Sequence, residues 1–112
     1  MLSVEARGGR PDSIEPNLWC NSCQAIVQVM LGRLKAKKRE MEVLEAWEDI
    51  CNYENFNRFN YPPPEMQKGC REFVAEHEDD IIDGLVGRAN NGVAENDICI
   101  ERTKACVEEP EL

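Results

Sequence analysis

The residues with most chemistry to offer are six cysteines: Cys20, Cys23, Cys51, Cys70, Cys99 and Cys106, separated by 2, 27, 18, 28 and 6 residues. Thiols in this number can do redox chemistry, bind metal or staple the chain. Cys20 and Cys23 form a Cys-x-x-Cys unit, with Trp19 before it. At a helix N-terminus the first thiol of such a unit has a lowered pKa, and its thiolate attacks disulfides. Zinc held by four cysteines wants a second pair at similar spacing, and Cys99 and Cys106 are too far apart to supply it. As staples, six cysteines allow fifteen connectivities.

The other reactive side chains read mainly as structural. The chain has one histidine, His77, at an apolar-stripe position, so it reads as a core or rim residue and leaves little room for zinc catalysis or a histidine-based triad. The acidic run Glu76, Glu78, Asp79, Asp80 and Asp83 lacks the glycine-turned ligand array of a calcium loop. It reads as a solvated helix face or a flank for a partner. Arg102 and Thr103 lie between two cysteines and suit hydrogen bonds to a helix end or a nearby carboxylate. No metal, cofactor or catalytic residue is expected.

Charge narrows the partners. Lys and Arg total 13 against 22 Asp and Glu, a formal net charge of −9 over 112 residues. Such a surface repels nucleic-acid phosphates and anionic membranes. No apolar stretch approaches the roughly 18 residues of a membrane span. Six cysteines in a short chain point to an oxidising compartment, the endoplasmic reticulum lumen or outside the cell. The expectation is that a secretory signal has been removed ahead of this sequence.

The elements that position these residues follow from periodicity. Residues 1–17, with Gly8, Gly9, Pro11 and Pro16, read as a flexible arm, of which residues 1–15 contribute nothing to the fold. Trp19, Cys20, Cys23, Ile26, Val27, Met30, Leu31 and Leu34 recur in steps of three and four, the stripe of an amphipathic helix capped by Asn17. Lys35, Lys37, Lys38 and Arg39 suit its last turn. Met41, Leu44, Trp47, Ile50 and Cys51 predict a second helix. Residues 52–64 hold Tyr53, Phe56, Phe59 and Tyr61 and end in three prolines, so they read as a loop. A third helix begins near Pro64 and carries Met66, Cys70, Phe73, Val74, His77, Ile81 and Leu85. Asn90-Asn91-Gly92 reads as a turn before a last helix over about 93–107. The domain is set at 18–107, with an acidic tail at 108–112. The fold class is all-α: a bundle of four to five helices stapled by three disulfides.

Cys20 and Cys23 lie one helical turn apart, and Cys99 and Cys106 two turns apart, so each pair faces one way. Two antiparallel helices meeting along those faces could form nested bridges, and Cys51 and Cys70 would close the loop between them. The expected set is Cys20–Cys106, Cys23–Cys99 and Cys51–Cys70. That framework resembles the saposin-like fold. Cys70 to Ile82, with its Phe-Val pair and acidic run, looks like the stretch around the fourth cysteine of the Canopy family. Cys99-Ile100-Glu101-Arg102-Thr103-Lys104-Ala105-Cys106 is similar to that family's Cys-x-x-Arg-Thr-x-x-Cys, and Cys20-x-x-Cys23 also matches. Glu109-Pro110-Glu111-Leu112 partly resembles an endoplasmic-reticulum retention signal.

The Canopy resemblance implies a non-enzymatic protein-interaction module, a small co-chaperone or adaptor of the secretory pathway whose partner is a client or chaperone protein. One alternative is a saposin-type lipid-binding protein. The other is a thiol-disulfide oxidoreductase using Cys20 and Cys23, since Trp19 to Cys23 also looks like the Trp-Cys-x-x-Cys motif of thioredoxin-like proteins. Against the latter, the preceding residues are polar and proline-broken, and no βαβ pattern follows. The expected interaction surface is Tyr53, Phe56, Phe59 and Tyr61, flanked by Glu76 and Asp80. Phe56 and Phe59 have a competing option, which is to turn inward and plug one end of the bundle.

Overall fold

The computed structural model describes residues 9–34, 39–87 and 91–106. Among these, every regular element is helical: α1 (Pro16–Leu34), α2 (Glu40–Ala46), a 3-10 turn (Tyr53–Phe56), α3 (Pro63–Leu85), α4 (Asn91–Asn96) and a π-helical segment (Asp97–Arg102). The long helices α1 and α3 pack on each other, and the short elements close around them.

The α1 stripe is buried as its period dictates, with Leu18, Trp19, Cys23, Ile26, Val27, Met30, Leu31 and Leu34 inside. On α3 the buried set is Met66, Cys70, Phe73, Ile81 and Leu85, together with Gly69 and Gly84. Trp19 meets Phe73 edge-on at 4.7 Å between ring centroids, which joins the two helices at the core. Gly84 allows the π-helical segment to approach α3 closely. A Cβ there would lie 2.5 Å from Cγ1 of Ile98. The geometry of α3 breaks at His77 (φ −129°, ψ 21°). The His77 ring lies 5.0 Å from Phe73, and its Nδ1 is 3.1 Å from Asp80 Oδ2.

The N-terminal arm needs correction. Ile14 is fully buried in the core. Its N–H donates to Pro11 O at 3.1 Å, and Arg10 Nη1 donates to the Ile14 carbonyl at 2.6 Å. Residues 11–14 therefore form a hydrogen-bonded turn that ends in a core residue, and an isolated apolar side chain carries no period to reveal this. Asn17 does not cap α1. The helix opens at Pro16, a residue suited to a first position because it has no N–H to satisfy. Residues 1–8 of the expected arm and the tail at 108–112 lie outside the described residues, as do Lys35, Lys37 and Lys38.

The second helix is shorter than its stripe. Met41 and Leu44 are exposed, and Val43 is the buried residue of α2. The helix gives way to turns over 47–51, where Asp49 takes a left-handed φ of 57°. Arg39 stands at the α2 N-cap, and its N–H donates to Glu42 Oε1 at 3.2 Å. Asn91 belongs to α4 rather than to a turn, and the last helix changes from α to π geometry at Asp97.

Three disulfides lock this arrangement: Cys20–Cys106, Cys23–Cys99 and Cys51–Cys70, with Cα–Cα distances of 4.7, 5.8 and 5.5 Å. These are the pairs that helical facing pointed to, and no cysteine is left free. In the chain-entropy model the two long bridges would each contribute about 4–5 kcal/mol alone and the short one about 3. Because the long pair is nested, closing one leaves less for the other.

Candidate interaction surface and disulfide framework

The segment after α2 carries no apolar stripe, so polar side chains must order it. Arg33, near the end of α1, donates through Nη1 to the carbonyls of Ala46 at 2.7 Å and Glu48 at 2.8 Å. Its Nη2 reaches Asn55 Oδ1 at 3.2 Å. Asn55 in turn donates through Nδ2 to the carbonyls of Asp49 and Ile50, each at 3.0 Å. The Ala46 carbonyl at the end of α2 and carbonyls of the turns that follow thereby gain side-chain donors. Asn52 caps the 3-10 turn, its Oδ1 accepting from the Glu54 N–H at 2.9 Å. From α3, Gln67 Nε2 donates to the Cys51 carbonyl at 3.0 Å, one turn away from the Cys51–Cys70 bridge.

The four aromatic residues of this segment separate on that scaffold. Phe56 is 1% exposed and belongs to the core. Phe59 is half-buried and meets Phe56 edge-on at 6.1 Å. Tyr61 is also half-buried and lies near the Glu15 carboxylate. Burial, then the nearby Glu15 carboxylate, raises its pKa above the ordinary tyrosine value. Tyr53 alone stands clear, at 50% exposure. Of the expected contact residues, Phe56 is thus excluded by burial, and Tyr61 is partly covered where it packs against the core.

Tyr53 borders an open groove of about 440 Å³ lined by Asp49, Cys51, Asn52, Tyr53, Gln67 and Arg71. Gln67 and Arg71 are four residues apart and share one face of α3. Neither Glu76 nor Asp80 is among the residues that line this groove. At about 100° per residue Glu76 stands roughly opposite Gln67 on the helix. The Glu76 side chain is close to Gly9, where a Cβ would come within 2.6 Å of its Cγ. No sequence motif marks Gln67 and Arg71, the α3 residues that line the groove. Their one signal is the four-residue spacing around Cys70.

Cys20 and Cys23 are each bonded to a different segment of the chain. Trp19, the aromatic residue of the Cys-x-x-Cys motif, is 1% exposed in the core. The motif is therefore a doubled anchor along α1. Between Cys99 and Cys106, Arg102 donates through Nε to Asp97 Oδ2 at 2.6 Å and through Nη1 to Asp83 Oδ2 at 2.9 Å. The hydrogen bond to Asp97 holds the guanidinium further above its usual pKa. This pairing ties the π-helical segment to α3. Thr103 Oγ1 donates to the Ile98 carbonyl at 2.7 Å and closes the segment's end.

Among the described residues, no group of three or more His, Cys, Asp or Glu side chains is placed to hold a metal ion. Nor is any helix there long and apolar enough to cross a membrane. No protein-family model, curated protein or solved structure matches the chain.

Proposed function

We propose that this chain is a non-enzymatic protein-interaction module of the secretory pathway, a small co-chaperone or adaptor similar to the Canopy family. The observation that carries the reading is Tyr53: a half-exposed aromatic side chain on a backbone already ordered by Phe56, the Arg33–Asn55 hydrogen bonds and the Cys51–Cys70 bridge. A side chain held this way loses little entropy when a partner covers it. Tyrosine and arginine are the residue types most often found as interface anchors, and Arg71 lines the same groove. Six cysteines, all paired, support an oxidising compartment such as the endoplasmic reticulum lumen or the extracellular space.

The test is affinity capture from the source's secretory fraction without reductant, run in parallel with Tyr53→Ala and Arg71→Glu variants. The reading expects one or more captured proteins to be lost from both variants while their melting temperatures match the parent. Capture unchanged in both variants would refute the groove as the contact surface.

A further inference from the structure

The three bridges differ in what a thiol can reach and in what must leave when it attacks. Cys23 and Cys99 are both buried, at 0% and 1% exposure. Cys51 is half-buried, but its partner Cys70 is fully buried. A thiol attacking Cys51 would expel Cys70 as a thiolate into the core, where apolar surroundings raise its pKa and make it a poor leaving group. Cys20 and Cys106 are both half-buried. Cys106 also lines a cleft of about 280 Å³ between α1 and the C-terminal helical segments, with Gln24, Glu95, Asn96, Cys99 and Ile100. Cys20 lies outside that lining but is itself only half-buried, so its leaving thiolate can be solvated.

Topology points to the same bridge. With Cys23–Cys99 in place, Cys20–Cys106 closes only the small ring made by residues 20–23 and 99–106. Lys104 within that ring holds a left-handed φ of 58°, a conformation that non-glycine residues rarely adopt. Opening the outer bridge frees the ring to relax, while Cys23–Cys99 keeps α1 joined to the π-helical segment.

We propose that Cys20–Cys106 is the exchangeable disulfide of this protein, opened by a dithiol protein whose thiolate enters the cleft. The thiolate attacks Cys106 Sγ and forms a mixed disulfide. The Cys20–Cys106 bond breaks, and Cys20 leaves as a thiolate that takes a proton from water. The partner's second thiolate then attacks the partner's first sulfur in the mixed disulfide, that bond breaks, and Cys106 leaves as a thiolate that also takes a proton from water. The bridge gains two electrons, and the partner's dithiol becomes a disulfide. The inference rests on burial and connectivity and does not require the Tyr53 groove to bind anything.

The experiment exposes the full native chain to graded dithiothreitol, alkylates newly formed thiols and locates them by peptide mass mapping, with helical circular dichroism followed alongside. Cys20 and Cys106 should be labelled together, at least about tenfold faster than the other four cysteines, with helicity retained. Earlier labelling of Cys51 and Cys70, or simultaneous labelling of all six with loss of helicity, would overturn the proposal. Filling the cleft with Gln24→Trp, or with Glu95→Trp if the first variant loses helicity, should slow opening several-fold. Unchanged opening in a folded variant would overturn the cleft as the route of attack.

Discussion

Replacing Gly84 with alanine sets two effects of opposite sign against each other. Gly84 lies inside α3 and has no left-handed φ, so helix propensity alone predicts that alanine stabilises by about 1 kcal/mol. Packing predicts the reverse. The added Cβ would stand 2.5 Å from Ile98 Cγ1, 3.0 Å from its Cδ1 and 3.3 Å from Arg102 Nε. Ile98 is fully buried and β-branched, so it has few alternative rotamers, and Arg102 is held by Asp83 and Asp97. Relief therefore requires the π-helical segment to move away from α3. Overpacking of this kind costs about 1–3 kcal/mol, and we take the upper part of that range because two rigid groups are met. The net loss is then about 1–2 kcal/mol. An unfolding entropy of about 2.1 cal/mol/K per residue makes each kcal/mol worth about 4 °C in a chain of 112 residues, so the melting temperature should fall by about 4–8 °C. A double-mutant cycle isolates the contact. Ile98→Ala alone should cost about 2–5 kcal/mol, and in that background Gly84→Ala should be at least about 1 kcal/mol less harmful than in the parent. A higher melting temperature for Gly84→Ala, or the same effect in both backgrounds, would refute the packing argument.

Ile14→Ala should destabilise the protein by about 2–5 kcal/mol, the range for deleting a fully buried aliphatic side chain. Thermal melting checks it, and no change would restore the flexible arm. The raised pKa of Tyr61 makes stability fall at alkaline pH. The folded state holds that proton more tightly than the unfolded chain, so the contribution is fully present below the unfolded value of 10.0 and is lost as pH rises through the folded pKa. Denaturant melts across that window should show the decline in the parent and a smaller one in Tyr61→Phe, and equal slopes would count against it.

The long helices were legible because their information is periodic. Leu18 to Leu34 and Met66 to Leu85 repeat apolar residues at helical spacing over several turns, and that spacing also placed the cysteine pairs on facing surfaces. What failed was short or aperiodic. Ile14 is a single buried residue beside prolines. In α2, Met41 and Leu44 have helical spacing yet face solvent, because the helix ends at Ala46 and Val43 is the residue turned inward. The aromatic segment, by its sequence, allows either a shared surface or an inward turn of Phe56 and Phe59, and does not choose between them. Its ordering depends on Arg33 and Asn55, 22 residues apart, and no local pattern announces that partnership. Gln67 and Arg71 were legible only as polar positions on an amphipathic helix. Their place beside Tyr53 follows from the Cys51–Cys70 closure.

The central claim is that the cysteines form a structural framework that holds an interaction surface in place, with no working Cys-x-x-Cys pair in the resting protein. Peptide mapping of unreduced protein, digested at acidic pH to prevent exchange, tests it most directly. The account predicts cross-linked peptides joining Cys20 to Cys106, Cys23 to Cys99 and Cys51 to Cys70, with no alkylatable thiol. A Cys20–Cys23 bridge, or free thiols at those two positions, would contradict it and return the chain to the oxidoreductases.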